Sequence, residues 1–191
     1  TLGERRALRV CRYGIDALLS VTLSARCAAC ECVLDTPLAG PICPVCWSQV
    51  RLLSGPLCRT CGDALVSWRI ISLALEQCPR CRRHQSALDA ARAAGSYEGP
   101  LRGIVHAFKY EGRRGLAEPL AALMRTAGQE LLDDADALVP VPLHPWRRVQ
   151  RGFNQADELA RQLNVPILRA LWRRRATVPQ TGLNAGARRR N

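Results

Sequence analysis

Four Cys-x-x-Cys pairs within 55 residues constrain this chain more than any other feature: Cys27 and Cys30, Cys43 and Cys46, Cys58 and Cys61, Cys78 and Cys81. Two residues between thiols let one tight turn aim both sulfurs at a single ion. Two such turns complete a tetrahedral sulfur shell with Zn–S near ~2.3 Å. Successive pairs are separated by 12, 11 and 16 residues, spacers that suit ribbon-like sites. The spacing favours sequential shells, Cys27/Cys30/Cys43/Cys46 and Cys58/Cys61/Cys78/Cys81; a cross-braced arrangement is the alternative. A disulfide framework would need an oxidising compartment, and nothing in the sequence resembles a secretory signal. A thioredoxin-like redox motif would explain one pair and not four. With thiolates in all four places of each shell, no position is left open for water, so the two expected zinc ions are structural. Metal then stands in for the hydrophobic core that so short a segment cannot build. Cys11 and Cys32 fall outside the pattern. Cys11 reads as a small buried apolar residue, and Cys32 as a bystander that at most competes with Cys30. His84 lies among Arg82, Arg83 and Gln85 and reads as solvated or phosphate-facing rather than as a ligand.

The rest of the 191 residues suits one medium domain or two small ones, and a hydrophobic fraction of 48% is enough for a packed core. No apolar run reaches the roughly 18 residues that span a bilayer. The longest candidate, Ile15 to Leu23, is short and carries Asp16. The expected location is the cytoplasm. The formal net charge is +12, and all but one of the 28 basic residues are Arg, Lys109 being the exception. Much of that bias is what a GC-rich genome produces, which makes the surviving Lys109 the more informative residue. The charge is also uneven: from Leu159 to Asn191 there is no Asp or Glu, while Arg161, Arg169, Arg173, Arg174, Arg175, Arg188, Arg189 and Arg190 all occur. A basic end of this kind attracts the phosphates of a nucleic acid or of a small ligand.

Composition shifts near Leu88, which divides the chain into an N-terminal helical segment (1–26), a double zinc module (27–87) and a third part (88–191). Gly95-Ser96-Tyr97 reads as a short strand. Leu101, Ile104, Val105 and Phe108 fall at i, i+3, i+4 and i+7, one apolar helix face. A second helix is expected from about Gly115 to Leu132. Ala137 to Val139 looks like a buried parallel strand, which Pro140 and Pro142 must end because proline cannot donate to the ladder. The chain then leaves the sheet at a strand's carboxyl end, where ligands bind in open α/β sheets. A polar, basic stretch follows, then a helix from about Asn154 to Leu163 and a strand from Ile167 to Trp172. Alternating helices and strands predict an α/β domain with a mainly parallel sheet. No P-loop and no Gly-x-Gly-x-x-Gly occurs.

The order of the four cysteine pairs, Ala91-Arg92, Tyr97, Phe108-Lys109-Tyr110, Pro140-Val141-Pro142-Leu143-His144, Arg147, Arg151-Gly152-Phe153-Asn154-Gln155, Gln180, Leu183, Arg188 and Asn191 resembles the ComF family over nearly the whole chain. That family comprises competence-related proteins with a zinc module and a type I phosphoribosyltransferase-like domain. The resemblance implies phosphoribosyl pyrophosphate as ligand of the full-length form, with Mg2+ held through its phosphates and ribose. It implies that Pro140, Val141, Pro142 and His144 face the pyrophosphate, that Arg147 and Arg151 lie in a mobile loop covering it, and that Lys109 either adds a point charge nearby or is simply solvated at its helix end. Arg forks suit a pyrophosphate leaving group. It also implies single-stranded DNA and other competence proteins as partners. Family members continue into a strand with paired Asp and a Thr-Thr-Gly turn that holds the ribose and 5′-phosphate. That string is absent from this sequence, where the one Asp pair, Asp133-Asp134, has neither Thr nor Gly behind it. The expectation is therefore a front half only, inactive as a transferase by itself. The alternative function is a non-catalytic zinc- and arginine-rich module for single-stranded nucleic acid, in which Trp146, Trp172 and Phe153 stack on bases unless they pack in the core.

Overall fold

A computed structural model of the chain describes residues 14–19, 25–65, 77–84, 87–177, 180 and 183–190. Cys11 lies outside them. Residues 14–19 are helical, and the buried Asp16 carboxylate accepts the Leu38 N–H at 2.8 Å, which ties this segment to the first cysteine loop.

The helices follow from local chemistry. Helix α1 (Pro44–Ser48) and helix α2 (Pro79–Arg83) each begin with proline one residue after a cysteine N-cap, where the missing N–H costs nothing and φ is already helical. Helix α3 (Gly99–Tyr110) also has Pro100 in its first turn and buries Leu101, Ile104, Ala107 and Phe108, the face that periodicity predicts. Helix α4 (Ala117–Asp133) follows a 3-10 turn at Arg114–Leu116 and buries Ala117, Leu120 and Ala121. Helix α5 (Pro145–Arg151) occupies the stretch expected as a mobile loop. Its start is the His144-Pro145 step, and its stop is Gly152 at φ 74, the left-handed position that glycine takes without strain. Helix α6 (Gln155–Ala160) is capped by Asn154, whose side chain accepts the Ala156 N–H. Helix α7 (Ala185–Arg190) lies in the tail that showed no periodicity.

Among the described residues no continuous strand forms. Pairing is limited to single bridges: Arg26 with Val33, Leu57 with Ala64 and Leu52 with Gly95, all antiparallel, and Leu138 with Ile167, parallel. The Gly95–Tyr97 stretch thus contributes one bridge, with Tyr97 exposed. The parallel bridge joins the two segments expected as parallel strands. It ends at once because Pro140 and Pro142 follow on one side, and on the other Leu168, Leu171 and Trp172 are exposed.

The core straddles the compositional shift at Leu88. Cys27, Leu34, Ile42, Cys43 and Cys46 pack with Leu101, Ile104, Phe108, Leu116, Leu120 and Phe153. Ile104 and Phe108 are fully buried, and burying side chains of this size stabilises by about 2 kcal/mol each. Helix α3 rides directly on the first cysteine turn. A methyl group at Gly103 would stand 3.2 Å from the Ala29 Cα, close enough that any larger residue would push the turn back by a few tenths of an ångström.

Candidate metal centres and a basic cleft

The two halves of the cysteine region are built to one plan. In the first, Cys27 N–H donates to the Cys32 carbonyl, Glu31 N–H to Cys27 and Leu34 N–H to Ala25. In the second, Cys58 N–H donates to Asp63, Gly62 N–H to Cys58 and Leu65 N–H to Pro56. Each turn needs a left-handed residue, Glu31 at φ 62 and Gly62 at φ 73. The incoming second pair docks identically: the Cys43 N–H donates to the Cys27 Sγ at 3.3 Å, and the Cys78 N–H to the Cys58 Sγ at 3.3 Å.

These N–H groups have an electrostatic result. Burial raises the Cys27 thiol pKa, but the N–H groups of Cys43, Ala29 and Cys30 outweigh it and lower the value to about 6. Cys58 is likewise raised by burial and lowered, on balance to about 6, by the N–H groups of Cys61, Cys78 and Thr60. In both residues the N–H donors favour the thiolate, the form that takes a cation.

The thiols gather sequentially. Those of Cys58, Cys61, Cys78 and Cys81 all lie within 4.8 Å of one another. The Cys61–Cys78 separation is 3.7 Å and the Cys30–Cys43 separation 3.8 Å, close to the ~3.8 Å edge of a tetrahedron with ~2.3 Å Zn–S bonds. The first centre differs from expectation. Its mutually close set is Cys27, Cys30, Cys32 and Cys43, with Cys32 at 3.3 Å from Cys30. Cys46 is buried beside the same group and contacts Cys30, Cys43 and Cys27. Cys32 is thus part of the cluster rather than a bystander. The described cysteines are free thiols, and both clusters have the donor chemistry to hold structural zinc. His84 is exposed at the end of α2.

Downstream, the Phe108-Lys109-Tyr110 and Arg151-to-Gln155 strings form one packed unit. Phe153 meets Phe108 edge-on with ring centroids 5.4 Å apart. The Gln155 side chain donates to the Lys109 carbonyl, and Arg151 stands 4.7 Å over the Tyr110 ring. Lys109 is half-buried beside Arg151; burial first, and then that guanidinium, lower its pKa. The Asn154 amide donates to the Val141 carbonyl at 3.2 Å and steadies the proline turn.

Beyond Leu138 lies a cleft of about 790 Å³ that includes Pro140, Pro142, Arg114, Arg148, Arg173 and Trp172 in its lining. In all, five arginines face it against two carboxylates. Asp157 pairs with Arg169 at 2.7 Å and Arg161 at 3.0 Å, which leaves Arg114, Arg148 and Arg173 without a carboxylate partner among the described residues. Of the expected ligand residues, Pro140 and Pro142 line this cleft; Lys109, Val141, His144, Arg147 and Arg151 do not. Arg147 donates to the Thr177 carbonyl, and His144 occupies the N-cap position of α5 without a side-chain capping bond. Arg114, Arg148 and Arg173 carried no sequence signal beyond their charge, because the fold and not the spacing brings them together.

No family model and no solved structure matches the chain. Curated relatives do. Competence protein F of Haemophilus influenzae is 31% identical over 176 residues, 87% of this chain and 73% of that protein. The DNA utilization protein YhgH of Escherichia coli K12 is 30% identical over 184 residues, 90% of this chain and 76% of its own length.

The chain belongs to the ComF family.

Competence protein ComFC of Bacillus subtilis is a more distant relative, 26% identical over 129 residues, 65% of this chain and 52% of that protein. In this ComF-family chain Arg92 joins two parts of the molecule. Its guanidinium donates to the Arg59 carbonyl in the second cysteine turn and pairs with Glu130 of α4 at 3.5 Å. Among the described residues no helix is long and apolar enough to cross a membrane.

Proposed function

We propose that this chain serves DNA uptake, and that its cleft beyond Leu138 is the pyrophosphate-binding part of a site that takes phosphoribosyl pyrophosphate with Mg2+ in the complete form. Relatives named for competence and for DNA utilization support the first part. The observation that carries the second is the excess of arginine over carboxylate in the cleft, where the chain leaves the Leu138–Ile167 bridge. Guanidinium forks bind pyrophosphate oxygens in pairs, and partial enclosure strengthens each contact. Residues 88–191 are on this reading the phosphoribosyltransferase-like part. Lys109 near the end of α3 and Arg151 at the end of α5 stand side by side outside the cleft lining and add positive potential from behind it. The zinc centres hold the scaffold under them. A cytoplasmic location belongs to the same reading.

Isothermal calorimetry tests the reading. The protein should bind inorganic pyrophosphate in the presence of Mg2+, and Arg148→Glu should weaken binding at least tenfold without lowering the melting temperature. Equal binding by wild type and Arg148→Glu would place the ligand elsewhere.

A second reading, single-stranded DNA as ligand, is favoured by one observation. Phe153 is buried, but Trp146 and Trp172 are 73% and 79% exposed beside the arginines, as stacking platforms are. Trp fluorescence should then fall on adding oligo-dT, with an affinity that drops steeply with salt. Unchanged fluorescence at saturating oligonucleotide would rule the platforms out.

A further inference from the structure

The two cysteine turns superpose in plan, so their differences are informative. Cys32 stands where the second turn has Asp63, as the donor pairs Cys27 N–H to Cys32 and Cys58 N–H to Asp63 define. The second centre therefore has four thiols and the first has five. Three of the five, Cys27, Cys30 and Cys43, are shared by two possible shells. One shell is closed by exposed Cys32, whose thiol lies with theirs inside 4.8 Å. The other is closed by buried Cys46, whose thiol contacts the same three. The knuckle geometry favours Cys46, since its N–H donates to the Cys43 Sγ at 3.4 Å. Proximity favours Cys32, at 3.3 Å from Cys30.

We infer that the first centre is a five-thiol site in which Cys32 and Cys46 are interchangeable fourth ligands of one ion. The inference rests on the reading that both clusters bind zinc. Four thiolates saturate a tetrahedral ion, so one of the two is always spare. The turn at Glu31 lets Cys32 reach the ion without moving Cys27 or Cys30. At the second centre the corresponding position carries a carboxylate, and no thiol outside its four belongs to that cluster among the described residues. The first site thus tolerates loss of its fourth ligand, and the second does not.

Zinc per chain, measured by elemental analysis on the full chain purified under reducing conditions, tests this. Wild type should carry two. Cys32→Ser and Cys46→Ser should each keep two, and the double variant should keep one. Cys81→Ser, with no spare, should keep one. Cobalt-substituted Cys46→Ser should retain the thiolate-to-cobalt charge-transfer intensity of wild type, and the double variant about half of it. One zinc in Cys46→Ser alone, or failure of that variant to fold where Cys32→Ser folds, overturns the inference, as does two zinc ions in the double variant. Wild type without zinc would instead overturn the zinc reading of both clusters.

Discussion

The two cysteine centres share a backbone plan and differ in what surrounds them. Three thiols of the first, Cys27, Cys43 and Cys46, belong to the same buried cluster as Ile104 and Phe108. No thiol of the second does. The second turn is held by Arg92 and by the close approach of Gly62 to the Ala91 carbonyl, which a Cβ would meet at 2.6 Å. One motif therefore does two jobs. At the first centre, three of the thiols that would hold the metal are part of the hydrophobic core itself, so on the zinc reading binding and core packing are one cooperative unit. At the second, the thiols lie outside that core, so on the zinc reading the metal would organise a more local loop.

The largest expected contrast is between Cys43→Ser and Cys78→Ser. Structural zinc contributes about 10–16 kcal/mol in isolated fingers, and that energy is folding energy. Cys43→Ser should therefore lower global stability by roughly 3 kcal/mol or more, as loss of the main thermal transition followed by circular dichroism. Cys78→Ser should release one zinc and leave that transition within about 1 kcal/mol of wild type. Equal losses would erase the distinction between the centres. Phe108→Ala comes next, at about 3–5 kcal/mol, and it should speed chelator removal of the first zinc but not of the second. Gly103→Val should cost about 1–3 kcal/mol by crowding Ala29, again with the first zinc alone affected. Arg92→Ala should cost about 1 kcal/mol and reverse the pattern, with faster loss of the second zinc.

Lys109→Met should have the smallest effect, and the opposite sign. Burial and Arg151 lower the Lys109 pKa, so the folded state penalises its charged form. That cost is present at neutral pH and fades as pH rises through the lowered pKa. Removing the amine should leave the melting temperature unchanged or slightly higher at pH 7, with the gain shrinking in alkaline buffer. A clear loss of stability at pH 7 would show that the charge has a partner.

The sequence made the eight paired cysteines and α3 legible for physical reasons. Cys-x-x-Cys spacing is dictated by the ion, and the Leu101–Phe108 face by helical period. Cys32 was not legible from spacing, because its approach depends on a left-handed turn at Glu31, a residue that seldom adopts one. Setting Cys27 to Cys32 beside Cys58 to Asp63, with Glu31 against Gly62, would have revealed the turn. Helix α5 was missed because its Arg-rich face has no apolar period, although Pro145 at its start and Gly152 past its end are standard boundary signals. The cleft's Arg114, Arg148 and Arg173 come from three segments, and single-sequence spacing carries no record of such an assembly. Of the expected parallel strands the described residues show one bridge, Leu138 with Ile167, next to Pro140, which cannot donate to a ladder.

The central claim is that the first metal centre, and not the second, is continuous with the core. Amide hydrogen exchange along α3 in wild type, Cys43→Ser and Cys78→Ser measures this directly. Protection at Ile104 and Phe108 should collapse in Cys43→Ser and match wild type in Cys78→Ser. Protection that survives in Cys43→Ser, or that falls equally in both variants, would contradict it.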